Sequence, residues 1–171
     1  MTPRAHNPAI RCLLAVVLAG VLFVSACTET NSTRTLVIRQ EPPLLDTFTL
    51  APAEGASTPP GSLRVFDAAI TTEDGLTGNL LGMLITADFP QPASGEELEE
   101  RIGTLIFQFG DDQLVVTGGT IYPLVNAEMQ TGLTQVRAVT GGTGTYLGAT
   151  GQVTTSRNDD GSYTHTFELV E

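Results

Sequence analysis

Beyond the first 34 residues, apolar positions recur at every other residue in short runs broken by Gly, Asp and Pro. The period is that of half-buried strands, whose side chains alternate between two faces. Eight such runs stand out: residues 35–40 (TLVIRQ), 62–72 (SLRVFDAAITT), 77–89 (TGNLLGMLITADF), 101–109 (RIGTLIFQF), 113–118 (QLVVTG), 134–140 (TQVRAVT), 146–156 (YLGATGQVTTS) and 162–170 (SYTHTFELV). Tight Gly110-Asp111-Asp112 and Asn158-Asp159-Asp160-Gly161 links predict two antiparallel hairpins. Parity then puts Leu105, Phe107 and Phe109 on one inner face and Tyr163, His165, Phe167 and Leu169 on another. No long 3.6-residue stripe follows the N-terminal segment, and only EELEER, residues 96–101, suits a turn of helix. Residues 51–61 and 90–100 read as loops. The class is all-β, and eight antiparallel strands suit a small closed barrel.

The glycine-rich stretch VTGGTGTYLGATGQV, residues 139–153, admits two readings. Gly142-x-Gly144-x-x-x-Gly148 loosely matches a dinucleotide-binding loop, which needs a crossover helix and a parallel strand after it. Only 23 residues follow Gly148, and they hold a strand, a turn and another strand. Tyr146 to Val153 shows no helical stripe either, so a nucleotide fold is not expected. What remains is a glycine turn feeding a strand that Gly148 and Gly151 allow to bend.

The ends and the charge place the barrel. Arg4 and Arg11 precede the apolar run LLAVVLAGVLF, residues 13–23, and Val24-Ser25-Ala26-Cys27 follows. A run this short is expected to be a signal peptide rather than a span, which needs about 20 apolar residues. The four residues before the polar tether resemble a bacterial lipobox, with Cys27 as the lipidated first residue of the mature protein; ordinary cleavage after Ala26 fits the small-residue rule as well. The expected organisation is a signal peptide at 1–26, a tether at 27–33 and a barrel domain at 34–171, held by lipid on the extracytoplasmic face of a bacterial membrane, in the cell envelope. With Cys12 removed, no disulfide remains to be made. The chain carries a net charge of −11 and no lysine, and loss of Arg4 and Arg11 leaves six arginines against 19 acids, a net −13. Such a surface repels polyphosphate, so nucleic acid is not an expected partner. The composition is compatible with a homo-oligomer.

AVTGGTGTYLGATGQV, FQFGDDQLVVTG upstream of it and YTHTFELV at the end resemble the allene oxide cyclase and dirigent superfamily. The likeness is specific over residues 101–171 and loose over 35–89. It implies an eight-stranded antiparallel barrel, the architecture that the strand count reaches by itself. The cyclases close an epoxy fatty acid with polar groups on their first three strands. Aligned on the resemblance, the first-strand pair falls at Ile38 and Gln40, the second-strand asparagine at Ala68, and the cysteine after Gly78-x-x-x-Gly82 at Leu84. The resemblance therefore extends to the scaffold and not to the cyclase site. Dirigent barrels use acidic and arginine side chains, for which Asp67, Asp88 and Arg137 are the analogues here.

The candidate chemistry is sparse. His165 is the one histidine beyond the signal segment and shares a face with Tyr163 and Phe167, which makes it the candidate acid or base; a satisfied core histidine is the bland reading. Phe107, Phe109, Tyr122, Arg137, Tyr146 and Phe167 are the expected ligand-binding set, with both tyrosines also suited to sealing the barrel ends. One histidine and an acylated Cys27 assemble neither a metal site nor a nucleophilic triad, so no cofactor is expected. The reading is an apolar small-molecule binder, a candidate cofactor-independent isomerase or cyclase but not an allene oxide cyclase; the alternatives are a carrier and a structural envelope lipoprotein. Barrels of eight strands are either filled or hold one ligand, and sequence leaves that choice open.

Overall fold

A computed structural model describes residues 32–48, 60–87, 98–123 and 128–170. The segment expected to be a signal peptide, Cys27 and Asp88 lie outside them. Among the described residues nine strands form one antiparallel sheet: β1 (Thr33–Gln40), β2 (Leu44–Phe48), β3 (Leu63–Thr72), β4 (Thr77–Thr86), β5 (Leu98–Phe109), β6 (Asp112–Pro123), β7 (Thr134–Thr143), β8 (Thr150–Arg157) and β9 (Tyr163–Val170). Each strand from β3 to β9 pairs with the next, β9 pairs with β1, and Ile38–Gln40 of β1 pair with Ile70–Thr72 of β3. That last pairing closes the barrel. Closure leaves no long free edge on the wall.

Strand β2 continues the stave of β1 along the outer half of β3, with Leu44 opposite Asp67 and Phe48 opposite Leu63. The two are separate strands because Pro42 and Pro43 have no N–H to give the ladder. The wall is thus eight staves, the first in two pieces. The eight runs read from sequence are those staves, with β2 missed between them. The helical turn expected at EELEER is corrected: Leu98–Arg101 open β5, because Glu99 and Arg101 find partners inside the barrel. Tyr146 lies in a single 3-10 turn, Gly144–Tyr146, before β8 rather than in it.

The interior falls into two halves. Ile38, Leu80, Phe107, Phe109, Leu114, Val153, Phe167 and Leu169 fill one half, and Tyr146 packs into the same cluster. This end is stitched shut by the turn preceding β6: Asp112 Oδ1 accepts from the Thr145 N–H at 2.9 Å, and Thr143 Oγ1 donates to the Asp111 carbonyl at 3.1 Å. The hydrogen bonds from Thr145 hold the Asp112 carboxyl below its usual range. Gly144 turns there with φ of 60°, whereas Gly142 is a glycine for want of space, since a Cβ would meet the Gln113 carbonyl at 2.6 Å. The other half combines a smaller apolar cluster with the buried charged and polar side chains.

Candidate functional site

Strand parity carries charge into the barrel at the end where β1, β4, β6 and β8 finish and β3, β5, β7 and β9 begin. Glu99 and Arg101 share the inward face of β5 with Leu105, Phe107 and Phe109. Arg64 and Arg137 hold the corresponding inward positions of β3 and β7. All four are buried, Arg101 completely, so half of the six arginines after Cys27 lie inside an otherwise acidic protein. Glu99 Oε1 accepts from Arg101 and stands 3.2 Å from Arg64 Nη1, which also donates to Thr86 Oγ1 at 3.0 Å. The Arg101 guanidinium lies 4.0 Å over the Tyr122 ring. Burial, and then the neighbouring Arg64, push the Arg101 pKa down against the pull of Glu99. Tyr122 in turn accepts from Arg137 Nη2 at 3.0 Å, and the same nitrogen donates to Thr120 Oγ1 at 2.7 Å. A continuous polar belt therefore crosses β3, β5, β6 and β7.

Opposite the belt, His165 is 1% exposed. Its Nε2 is 2.9 Å from Gln40 Oε1 and its Nδ1 is 2.9 Å from Thr155 Oγ1. An amide oxygen only accepts, so Nε2 carries the proton and Nδ1 accepts from the Thr155 hydroxyl. Phe107 meets the imidazole edge-on at 4.8 Å, and Phe167 meets Phe107 in the same way at 5.0 Å. Burial, helped by the charge on Arg137, pushes the histidine pKa down to about 3. The ring is a neutral, fully hydrogen-bonded group at physiological pH.

That depression has a consequence for stability. The unfolded chain takes up the His165 proton near pH 6.5 while the folded chain resists it to about 3, so stability is present in full above the upper value and lost as pH falls through the window. Urea unfolding is expected to show a loss of roughly 1.5 kcal/mol from this group between pH 6.5 and 5, above the range where carboxylates titrate. The His165→Gln protein, less stable overall, should lose that slope. An unchanged slope in the variant would show that the ring is solvated in the folded state.

Between the two polar groups lies a cavity lined by Gln40, Phe66, Leu84, Leu105, Tyr122, Met129, Arg137, Thr155, Tyr163 and His165. It offers about 40 Å3 to the centre of a water molecule, so it is large enough to admit water or a small group. Met129, Leu84, Tyr122 and Tyr163 form a small apolar cluster at this end, and Glu128 beside Met129 is paired with Arg157. Burial first, then the charge of Glu128, push the Tyr163 phenol up to about 12, so it stays protonated.

Of the residues expected from sequence, the fold brings His165, Tyr122 and Arg137 together at this cavity. Phe107, Phe109, Tyr146 and Phe167 are placed in the filled half, where Phe107 touches the site only by backing the His165 ring. Asp67 is on the outer wall opposite Leu44. Gln40 and Leu84, aligned with cyclase site positions, do line the cavity. Sequence reading passed over Arg64, Glu99, Arg101, Thr155 and Met129. Parity was the available signal for the charged three: residues 99 and 101 share a face of β5 with 105, 107 and 109, and residue 64 shares one of β3 with 68, 70 and 72.

At the level of sequence no family model and no curated protein matches the chain. Solved structures do. A pyocyanin demethylase superposes with a TM-score of 0.56 at 15% identity, covering 81% of this chain and 99% of its own. A nonspecific heme-binding cyclase that catalyses a [4 + 2] cycloaddition during neoabyssomicin biosynthesis superposes with 0.52 at 15% identity, over 84% of this chain and 66% of its own. A pterocarpan synthase dirigent protein gives 0.47 at 15%, over 81% and 82%. The first two establish the fold, an eight-stranded antiparallel barrel of the kind implied by the glycine-turn motif.

Proposed function

We propose that the chain is an exported, lipid-anchored barrel that binds a small, largely apolar molecule at the Arg137 end, and that its chemistry, where it acts on that molecule, is a cofactor-independent isomerisation or cyclisation. The observation that carries the reading is the convergence of Arg137, Tyr122, Gln40, Thr155 and His165 on one cavity with apolar walls. A few placed polar groups in an apolar concavity are the usual make-up of a small-molecule site. Arg137 and the Tyr122 hydroxyl are donors able to stabilise charge developing on a ligand oxygen. His165 acts here as a positioning residue that fixes the Gln40 amide, since both its nitrogens are engaged. Ile38, Ala68 and Leu84 at the polar places of the cyclases argue against allene oxide as substrate.

A second reading, a structural envelope protein, draws on the filled half and the small volume of the cavity. Native mass spectrometry of the protein extracted in detergent separates the two. A retained apolar molecule, or uptake from a panel of fatty acids and polyketide-like compounds, supports binding. A protein that carries nothing and takes up nothing selects the structural reading.

Attachment is tested at Cys27. Two acyl chains hold a protein at a bilayer stably whereas one is marginal. Cys27→Ser is expected to leave the protein in the soluble fraction or as unprocessed precursor. Mature protein that begins at Cys27 without added lipid mass would end this part of the proposal.

A further inference from the structure

We propose that the cavity is built for a ligand bearing one negatively charged oxygen, an enolate, phenolate or carboxylate on an apolar frame, with Arg137 as its anchor. The inference rests on the ligand-binding reading above and adds the ligand's charge. Arg137 is 4% exposed and lines the cavity, and no carboxylate stands within ion-pair distance of it among the described residues. Its hydrogen-bond partners among the described residues are neutral hydroxyls, Thr120 and Tyr122, both on the one nitrogen Nη2, and its buried Nε has no hydrogen-bond partner. The buried carboxylate nearest in kind, Glu99, is held by Arg64 and Arg101.

A guanidinium taken out of water without a counter-charge costs free energy that a protein interior normally recovers through pairing. Here the interior offers it hydroxyls alone. The site is selective for sign because an anion entering beside Arg137 regains the missing pairing, and the planar fork suits a two-atom contact with one or two oxygens. Tyr122 adds a second polar contact next to that fork. Glu128, the acid that lines the cavity, does not cancel the charge, because it is engaged by Arg157 at the rim.

The test uses a pair of probes of one shape, 4-ethylbenzoate and 4-ethylbenzamide, titrated into the protein near pH 7 by calorimetry. The benzoate is expected to bind at least about tenfold more tightly, in keeping with the greater strength of charge-assisted hydrogen bonds. In Arg137→Gln the two affinities should converge to within about twofold, and Arg137→Lys should keep part of the preference because it keeps the charge but not the fork. Arg137→Gln should melt no lower than the parent in the absence of probe, since it removes a buried cation without its counter-ion. Equal binding of the two probes by the parent, or a benzoate preference that survives in Arg137→Gln, overturns the anion assignment while leaving the apolar-binding reading in place. Binding of neither probe overturns both. If Arg137→Gln fails to fold, the Lys variant and Tyr122→Phe carry the test, the latter expected to weaken the benzoate alone.

Discussion

Replacing Glu99 with alanine is expected to unfold this barrel more readily than any other single charge removal, at a cost of about 3–5 kcal/mol. Glu99 is buried, and its Oε1 serves Arg64 and Arg101 together. Without it, two guanidinia remain side by side in the interior, and burial and mutual repulsion already push the Arg101 pKa down while Glu99 is present. Urea midpoints measure the effect. Glu99→Gln, which keeps the shape and loses the charge, should show most of the loss, whereas Glu73→Ala on an exposed turn should stay within about 0.5 kcal/mol. Replacing all three partners with apolar residues of similar volume should recover much of the stability, because a buried ion cluster is costly to break but not costly to replace. A Glu99→Ala protein as stable as the Glu73 variant would mean that the two arginines do not depend on this carboxylate.

The second large effect is a backbone one. Gly151 in β8 has φ of 140°, and a Cβ there would lie 2.0 Å from the Glu168 carbonyl oxygen of the neighbouring strand. Gly148, three residues earlier, has φ of 80° with open space around its absent Cβ. Gly148→Ala should therefore cost only the left-handed penalty of about 1–2 kcal/mol. Gly151→Ala adds a collision with main chain that a side chain cannot relieve by rotating, and should cost at least about 3 kcal/mol and loosen the β8–β9 pairing. Denaturant unfolding of the two variants, with amide exchange along Thr150–Arg157, decides it. Equal costs at the two positions would show that β8 can move away from β9 at Gly151 without loss.

Period-two alternation made the staves legible because it records a local fact, that one side of each strand faces water and the other does not. RIGTLIFQF and YTHTFELV therefore displayed the inner faces of β5 and β9 before any tertiary contact was known, and the same parity held through to Arg101 and Glu99. Sequence also bounded the glycine stretch, since the residues after Gly148 alternate as strands and carry no helical stripe, and they form β8 and β9. What sequence could not decide was whether a charged residue on an inner face stays there. Arg101 is held inside by Glu99 beside it on β5, and that carboxylate also takes Arg64, 37 positions from Arg101 in the chain, which arrives across β4 when the β3–β4 and β4–β5 registers are set. The stave formed by β2 depended likewise on β3 offering it an edge beyond Pro43. The division of the interior was tertiary too. Phe107, Phe109 and Phe167 meet across the barrel and fill it, while Arg137, Tyr122 and His165 meet across the other end and leave a cavity, and how far side chains from different strands reach toward one another is fixed by closure between β1 and β3, not by any run of the chain.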